Sequence, residues 1–574
     1  MFRALTDDTA ARRALYWFML IALVVLAAGL GLRGPWPPDE PRFALVAQQM
    51  VDSGHWLFPH RGIELYADKP PMLMWLEAVS FELVRSWRIA FLLPSLVAGM
   101  GTLALVYDLG RRLWSPRVGL VAAALLLCAL QFTSEVKQAQ IDPLEMFWIT
   151  LGNWGLLVHL LRGPHWGAFW LGCFAAGLGV ITKGVGVLVL LMLLPYGLAR
   201  WRGWRGVAVM MRGSWWRWAL GALAFLLAIA LWLGPMLWVA YHSGQPDYRA
   251  YVNDILFHQT ADRYAHSWAH AEPVWFFAQV MLTEWFPLSL LALACVPLWR
   301  QAVREREPRV LLPLLWWALV LVFFSIPLGK RSVYVLPVLP MVALALAPYA
   351  QQLMARRWLQ RLCMGLLVAA AVIYIAGGAY AWLVYPKAAR RLAASYDLAA
   401  QGKLLWWIVM AVGVSLAATA LAMRRRGGIV ALLAGMLVAR VVWVMGTYPL
   451  LDANQSTRAI MQSAFQAIGP QGQLALVGWR EELLFQAHQL HHPVAEFGFT
   501  RAPAAQLSDA LRWQAKAPHT RWVLIETHAL GACIDTGKTR LIGTANRTTW
   551  WLFDRDAVKP ACRNARAPER ASAH

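Results

Sequence analysis

Two short motifs near the start of the chain combine carboxylates and cations with prolines. Asp39, Glu40 and Arg42 stand together among prolines, and Asp68 and Lys69 come directly before a second pair of prolines. A carboxylate can serve as a general base or stabilise developing positive charge, while a lysine or arginine can neutralise a phosphate. Residue types of this kind suit the transfer of a group away from a phosphate leaving group.

Further polar residues occur where long apolar runs begin or end. Lys183 lies in a Thr-Lys-Gly turn, Lys330 precedes Tyr334 by four residues, Asp142 comes at the start of an apolar run, and Arg263 follows an aspartate in a longer loop. Cations close to carboxylates at headgroup depth favour an anionic ligand such as a phosphate or pyrophosphate. For any one lysine taken singly, snorkelling at the membrane interface is the alternative.

Among the acids, Asp39 is the better candidate for a general base. It lies nearest the end of the first apolar run, where partial desolvation would raise its pKa. Asp142 would position the acceptor or orient a cation. For the Asp39-Glu40 pair by itself, a solvated turn with a helix cap is the alternative interpretation.

Histidines in one later loop raise the question of a metal. His258, His266 and His270 could act together with Asp68 or Glu64. Their spacing is not that of a typical ligand set. We therefore expect no metal cofactor.

The elements that must position these residues are membrane helices. Of the 574 residues, 59% are apolar and only 15% are charged, which excludes an ordinary soluble enzyme. A helix needs about 20 apolar residues to cross a bilayer core of about 30 Å. The sequence predicts about 13 such spans. They lie near 14–32, 88–108, 117–133, 143–161, 166–181, 184–200, 218–241, 273–298, 310–327, 332–350, 362–384, 404–423 and 428–447.

The net charge of +22 follows the topology and indicates no nucleic-acid partner. Every second loop between the spans is rich in arginine and free of lysine, as in 200–217 and 424–426. The positive-inside rule assigns these loops and the N-terminus to the cytoplasm. The opposite loops are then periplasmic, including the long first loop 33–87, in which we expect amphipathic helices at Phe43–Met50 and Met72–Leu83.

After the last span the composition changes. Residues 448–574 alternate strand-like and helix-like segments, which predicts a small α/β domain following the membrane domain 1–447. With an odd number of spans this domain is periplasmic. Cys533 and Cys562 both lie in it, and they form either a disulfide or two unpaired thiols in that oxidising compartment.

The loop motifs, taken in order, resemble those of a known family. The string Trp36 to Phe43 with Asp68-Lys69-Pro70-Pro71 is similar to the first periplasmic loop of the bacterial lipid A aminoarabinose transferases (ArnT). These are GT-C glycosyltransferases related to protein O-mannosyltransferases. Further matching segments lie at 141–143, 181–184, 263–264, 273–276, 329–331 and 334–337.

The resemblance implies a GT-C membrane fold with 13 spans and an extracytoplasmic C-terminal domain. It also implies an inverting transferase that takes a sugar from a polyprenyl phosphate without needing a metal. On this mapping Asp39 is the catalytic carboxylate, Asp142 a second acidic site residue, and Lys69 the donor-phosphate ligand. Other expected phosphate or donor contacts are Arg42, Arg263, Lys330, Tyr334 and Lys183, with Glu40 and Asp68 as supporting residues.

One motif departs from the family pattern, since Asp68 stands where well-known members have glutamate before the motif lysine. That departure weakens the transfer of any metal-ligand role to this position.

The expected function is transfer of 4-amino-4-deoxy-L-arabinose from undecaprenyl phosphate to lipid A at the periplasmic face of the bacterial inner membrane. The alternative within the enzyme class is transfer to a protein, O-antigen or another envelope glycan. A transporter or lipid flippase should show related halves and ionisable or helix-breaking positions near the bilayer midplane. The chain shows no related halves, and its membrane acids Glu145 and Glu284 are respectively close to an end and solitary.

Overall fold

The computed structural model describes residues 8–208, 213–256, 271–396, 398 and 401–563, and most of these are helical. Within these ranges, ten helical segments are long and apolar enough to cross a membrane. They are Thr9–Ala27, Trp87–Leu113, Ile141–Arg162, Trp166–Lys183, Trp215–His242, Pro308–Ser325, Ser332–Ala355, Arg357–Leu383, Gly402–Met423 and Gly428–Ile468.

The remaining three predicted spans correspond to shorter or broken helices. Phe276–Thr283 and Leu288–Glu305 are bent by 106° against each other, and as one broken span they bring the number in the described ranges to 11. The other two are the apolar segments Pro116–Cys128 and Val185–Trp201. Thirteen α-helical residues extend only about 20 Å, less than the bilayer core. The number 13 therefore stays a prediction.

Other helices are short. The α-helices are Glu40–Ser53, Met72–Val84, Leu130–Glu135, Leu193–Trp201, Pro246–Asn253, Lys387–Ser395, Arg458–Ile468, Glu481–Gln489, Pro503–Ala515 and Pro560–Arg563. The 3₁₀ turns are Val185–Met192, Ser332–Val338, Ala347–Tyr349, Thr527–Ala529, Thr536–Lys538 and Arg555–Ala557.

The chain divides into two compact units. The helical unit comprises the described residues of 1–30, 67–378 and 409–444, and the sheet unit those of 31–66, 379–408 and 445–563. The sequence predicted a single boundary at 447, which is close to where the last part of the sheet unit begins. Residues 31–66, however, belong with the C-terminal residues because their side chains and backbone bond to them, as described below.

Small residues allow close helix packing in the helical unit. Helices Ile141–Arg162 and Trp166–Lys183 cross at Gly155, where an added Cβ would lie 2.2 Å from the Ala168 carbonyl oxygen. At Gly177, an added Cβ would lie 2.4 Å from the Phe225 carbonyl oxygen of the next helix. Close backbone approach through glycine is a common way to pack membrane helices.

The outer surfaces of several helices are apolar. Helix Trp215–His242 exposes large side chains along most of its length, among them Leu223, Leu226, Leu227 and Leu231. A row of exposed leucines is unfavourable in water. Lipid acyl chains solvate such apolar side chains well, so this surface is suited to contact with the bilayer. The multi-span membrane character expected from composition is confirmed.

The sheet unit contains a mixed five-stranded sheet. Its strands are β3 (Gln473–Val477), β4 (Val494–Ala495), β5 (Arg521–Glu526), β6 (Arg540–Ala545) and β7 (Thr548–Phe553). Their order is β4-β3-β5-β7-β6, with β3 parallel to β4 and β5, and with β7 antiparallel to β5 and β6.

Alternate residues of these strands form an apolar core. Val477, Val523 and Phe553 are buried together with Leu507 and Ala510 of helix Pro503–Ala515. Because successive side chains point to opposite faces of a sheet, these alternate residues lie on one face. The helix covers that face. A disulfide joins Cys533 and Cys562, whose Cα atoms are 5.6 Å apart. Of the two alternatives predicted for these cysteines, a disulfide or two unpaired thiols, the structure therefore has the disulfide.

The first loop contributes a hairpin to the same unit. Strands β1 (His60–Arg61) and β2 (Glu64–Leu65) pair antiparallel. The Glu64 carboxylate accepts hydrogen bonds from the Thr500 backbone N–H at 3.0 Å and hydroxyl at 2.8 Å. The Arg61 guanidinium lies 4.0 Å from the Phe499 ring centroid. These contacts tie the loop to residues more than 400 positions later.

Helix Glu40–Ser53 also belongs to this unit, and it packs against helix Glu481–Gln489. Phe43, Leu45 and Met50 are buried. The sequence predicted that this segment forms a helix lying on the membrane surface. In the structure, burial within the protein accounts for its apolar residues. The second predicted amphipathic helix corresponds to Met72–Val84, which belongs to the helical unit.

Candidate functional site

Asp39 stands at the N-terminal boundary of helix Glu40–Ser53 in the sheet unit. Its side chain does not cap the helix; instead its carboxylate is bonded to the guanidinium of Arg42. Asp39 is buried, whereas Arg42 is partly exposed. The pair therefore combines a buried carboxylate with a partly exposed cation.

Glu40 points to a different partner. Its Oε1 accepts a hydrogen bond from Arg33 Nη2 at 2.6 Å, its Oε2 is also bonded to Arg33, and it accepts from the Trp36 backbone N–H at 2.8 Å. Burial alone would lower the pKa of Arg33, but the attraction of Glu40 outweighs it and raises the pKa above its usual value. The buried bidentate pair fixes the loop that carries Asp39.

Aromatic and acidic side chains complete this support. The Arg33 guanidinium lies 4.8 Å from the Trp36 ring centroid and 5.0 Å from that of Tyr448. Asp452 accepts from the Gly34 backbone N–H at 2.7 Å and from Trp36 Nε1 at 3.3 Å. Sequence reasoning missed Arg33, Tyr448 and Asp452, because a pairing over 400 residues leaves no local pattern.

A second group of predicted site residues meets in the helical unit. Asp142, in the first turn of helix Ile141–Arg162, forms an ion pair with Lys183 at the end of helix Trp166–Lys183. The Lys183 ammonium lies 5.0 Å from the Tyr334 ring centroid, within cation–π range. Asp142, Lys183 and Tyr334 are therefore neighbours in the structure, although up to 192 positions separate them in the chain.

Other lysines of the helical unit have different surroundings. Lys330 is buried, and its ammonium donates to the carbonyl oxygen of Glu272 at 2.9 Å. Lys69 and Asp68 are partly exposed residues of the helical unit just before helix Met72–Val84. Lys137 donates to the carbonyl oxygens of Leu26 and Ala28 at 3.1 and 2.8 Å. It therefore serves as a C-terminal cap for the first helix.

Two sequence hypotheses concern residues 257–270, which lie outside the described part of the chain. Arg263 is among them, as are His258, His266 and His270. Across the residues that the structure describes, no group of three His, Cys, Asp or Glu side chains has an arrangement that could hold a metal ion.

Two further acids, Glu135 and Glu284, were not predicted as site residues. Glu135 interacts electrostatically with Asp142, Glu284 and Lys183. Glu284 accepts a hydrogen bond from Gln131 Nε2 at 3.0 Å. The sequence placed Glu284 within a span as a solitary charge, but the bend between Phe276–Thr283 and Leu288–Glu305 puts it at a helix break.

Comparisons with known proteins agree with the loop motifs. Residues 68–233 match the family model described as dolichyl-phosphate-mannose-protein mannosyltransferase. Two curated relatives are each called undecaprenyl phosphate-alpha-4-amino-4-deoxy-L-arabinose arabinosyl transferase. The protein from Pseudomonas savastanoi pv. phaseolicola is 33% identical over 343 residues, covering 57% of this chain and 60% of the relative. The Pseudomonas aeruginosa protein is 32% identical over 381 residues, 62% of each chain. The matched region thus spans less than two thirds of these relatives.

Solved structures extend the likeness to nearly the whole chain. ArnT from Cupriavidus metallidurans bound to undecaprenyl phosphate matches with a TM-score of 0.73 and 20% identity, covering 95% of this chain and 99% of that one. Its apo form matches with a TM-score of 0.73, 22% identity and coverages of 96% and 100%. At this identity the match shows the fold. The resemblance to the ArnT-like GT-C family, which the loop motifs indicated, is therefore confirmed in sequence and in fold.

Proposed function

We propose that this chain is an integral membrane glycosyltransferase that transfers 4-amino-4-deoxy-L-arabinose from undecaprenyl phosphate to lipid A or a related envelope acceptor. The observation that carries the proposal is the similarity to relatives named for this donor sugar and carrier. An ArnT structure with bound undecaprenyl phosphate and the same fold supports it.

The proposed reaction is one displacement at the anomeric carbon. An oxygen of the acceptor forms a bond to that carbon, while the bond to the undecaprenyl phosphate oxygen breaks and its electron pair leaves with the phosphate. The anomeric configuration inverts. If the attacking group is a lipid phosphate, it is already anionic, and no base has to remove a proton.

The proposed roles of the site residues follow from this chemistry. Asp39 orients the nucleophile or stabilises the oxocarbenium-like sugar, and it acts as a base only for a hydroxyl acceptor. Lys69 and Arg42 neutralise the charge that develops on the leaving phosphate. Arg263, Lys330 and Tyr334 remain proposed donor contacts, and the reaction is proposed to need no metal.

Topology belongs to the same proposal. The N-terminus and the arginine-rich loops are cytoplasmic, and the sheet unit is periplasmic in a bacterial inner membrane. With 13 spans and a cytoplasmic N-terminus, the C-terminal domain would lie on the periplasmic side. The acceptor would be modified at the same face of the membrane.

A deletion strain tests the function. Loss of aminoarabinose from lipid A, restored by the wild-type chain, is the expected result. Complementation with Asp39→Asn or Lys69→Ala should fail although each variant is inserted and folded. Matched controls are Asp52→Asn and Lys516→Ala, both exposed, which should complement fully. Full activity of both site variants would remove the role assignments.

The family model favours a second candidate function. Its description names a protein mannosyltransferase, so a protein, O-antigen or another envelope glycan is the alternative acceptor. Unchanged lipid A together with an altered glycan or glycoprotein in the deletion strain would establish this alternative.

A further inference from the structure

A short basic helix of the sheet unit lies between two membrane spans. This helix, Lys387–Ser395, follows the span Arg357–Leu383 after residues 384–386 and precedes the span Gly402–Met423. We call it the basic helix. The three linking residues reach only about 10 Å even when fully extended. The basic helix is therefore held near the membrane surface, at the depth of lipid headgroups.

Three cations form a stripe along one face of the basic helix. Lys387, Arg390 and Arg391 are exposed and stand at positions i, i+3 and i+4, which share one face of an α-helix. We name these three residues the basic stripe. Ala389 and Ala393, on the opposite face, are buried. Among the residues that the structure describes, no side chain pairs with any of the three cations.

Membrane topology gives no reason for this positive charge. Residues 385–403 contain four lysines and arginines and one acid, Asp397, which lies outside the described residues. In the proposed topology this segment is periplasmic, because one span separates it from each of the arginine-rich segments 356–361 and 424–426. The positive-inside rule disfavours basic residues on that side. Exposed cations at headgroup depth attract anionic lipid headgroups.

The basic helix and the loop that carries Asp39 are bonded to the same helix. Asn454 Nδ2 donates to the carbonyl oxygen of Tyr396, the first residue after the basic helix, at 3.3 Å. Two positions earlier, Asp452 accepts from the Gly34 backbone N–H at 2.7 Å. Side chains two positions apart point in directions about 200° apart around an α-helix. One helix, with a diameter of about 10 Å, therefore separates the basic helix from the Asp39 loop.

We propose that the basic stripe binds a phosphate of the lipid A acceptor, namely the phosphate that is not the attacking group. The inference rests on the proposed function and deepens it, because it assigns residues that bind the acceptor. The headgroup of lipid A is a disaccharide with a phosphate at each end. One phosphate attacks the donor beside Asp39, while the other accepts charge-assisted hydrogen bonds from Arg390 and Arg391.

Two features favour the acceptor as the occupant of the basic stripe. The stripe lies across a single helix from the Asp39 loop, so a headgroup with phosphates at both ends can contact both places. Leu392, which adjoins the stripe, is 44% exposed and suits contact with acyl chains. A phospholipid headgroup has the same charge, but it has no second phosphate to present to Asp39.

Acceptors that differ by one phosphate test this assignment. Purified full-length protein in phosphatidylcholine proteoliposomes receives undecaprenyl-phosphate-linked 4-amino-4-deoxy-L-arabinose as the donor. The acceptor is lipid A with two phosphates or either isomer of lipid A with one. The wild-type protein should have a KM at least about tenfold lower for the two-phosphate acceptor, the ratio expected for one hydrogen bond between charged groups.

The Lys387→Gln/Arg390→Gln/Arg391→Gln triple variant removes the three charges and keeps polar side chains. Its KM for the two-phosphate acceptor should rise about tenfold, to the value for one phosphate, with kcat nearly unchanged. The constants for the one-phosphate acceptors should stay the same. Arg390→Lys/Arg391→Lys retains the charges and should keep most of the preference for two phosphates.

A matched control removes the same charge elsewhere in the sheet unit. Lys516→Gln/Lys538→Gln/Arg540→Gln alters three exposed cations and should behave as wild type with both kinds of acceptor. Thermal unfolding of each variant verifies folding.

The outcomes distinguish this inference from the proposed function. A preference for two phosphates that survives in the triple variant overturns the inference and leaves the proposed function intact, as does a wild-type protein without that preference. An equal rise in KM for both kinds of acceptor also overturns it, because a general attraction for anionic lipid or a structural role would affect them alike. A wild-type protein that transfers to no form of lipid A overturns the proposed function and this inference with it.

Discussion

At the scale of single residues, the partner of a charge decides what the charge can do. Lys183, Lys137 and Lys330 look alike in the sequence, each beside an apolar run. In the structure one pairs with a carboxylate, and the other two donate to backbone carbonyl oxygens. Among the predicted lysine ligands, Lys69 remains the proposed ligand of the donor phosphate.

Glu482 provides a prediction at the same scale. It is buried in the sheet unit, where burial and the nearby Glu481 raise its pKa from 4.5 to about 7, although Arg480 and Asn546 oppose the shift. An acid whose pKa is higher in the folded state favours the folded state when protonated. Its contribution to stability therefore falls as pH rises from about 4.5 to about 7, by a total of about 3 kcal/mol.

Glu482→Gln should remove this pH dependence. The amide oxygen can still accept from Asn546, which lies 3.3 Å away. We expect the variant to unfold at a higher temperature than wild type at pH 8 and at a similar temperature at pH 4.5. Thermal unfolding of the full chain in detergent across this range checks it, with exposed Glu305→Gln as control. Parallel curves for Glu482→Gln and wild type would contradict the assignment.

At the scale of elements, the distance between two helix backbones positions the Asp142–Lys183 pair. Helices Ile141–Arg162 and Trp166–Lys183 touch at Gly155, where even a methyl group would meet the Ala168 carbonyl oxygen. Overpacking of this kind typically costs about 1–3 kcal/mol, and a clash with backbone belongs at the upper end.

Gly155→Val should therefore lower both stability and transfer activity. Gly167→Val is the matched control on the second helix, because no atom lies within 4 Å of a Cβ added there. Detergent-solubilised yield, unfolding temperature and activity of the two variants give the comparison. If Gly155→Val and Gly167→Val have the same yield, unfolding temperature and activity, the close approach of the two helices at Gly155 contributes nothing measurable to stability.

The disulfide is a second element-scale feature. Cys533 and Cys562 close a segment of the sheet unit, whereas Cys128, Cys173, Cys295 and Cys363 are buried thiols. Closing a segment of this length typically stabilises a fold by about 2–4 kcal/mol. After denaturation, alkylation should label four cysteines without reductant and six with it. Six labels without reductant would contradict the bond.

At the scale of the whole molecule, the distribution of charge predicts the orientation in the membrane. Arginine-rich loops alternate with loops of other composition, so the segment before Gly428 and the segment after the last span should lie on opposite sides. Alkaline phosphatase fused after Arg426 should be inactive, and after Gly469 active, in a bacterial host. The reverse pattern would overturn the topology, while activity at neither point would place both segments in the cytoplasm.

The sequence by itself determined the membrane class, the family resemblance and the local motifs, since each depends on residues close together in the chain. Every predicted apolar run has a helical counterpart, because the cost of unsatisfied backbone groups in lipid requires helices there. Asp39 beside Arg42 and Asp142 at a helix start were likewise readable from neighbouring residues.

Only the tertiary structure decided which charges meet. The pairing of Asp142 with Lys183, the support of Arg33 by Tyr448, and the joining of residues 31–66 to the C-terminal sheet all connect distant positions. Such contacts depend on how helices cross and on which buried polar groups find partners, and neither has a periodic signature in the chain.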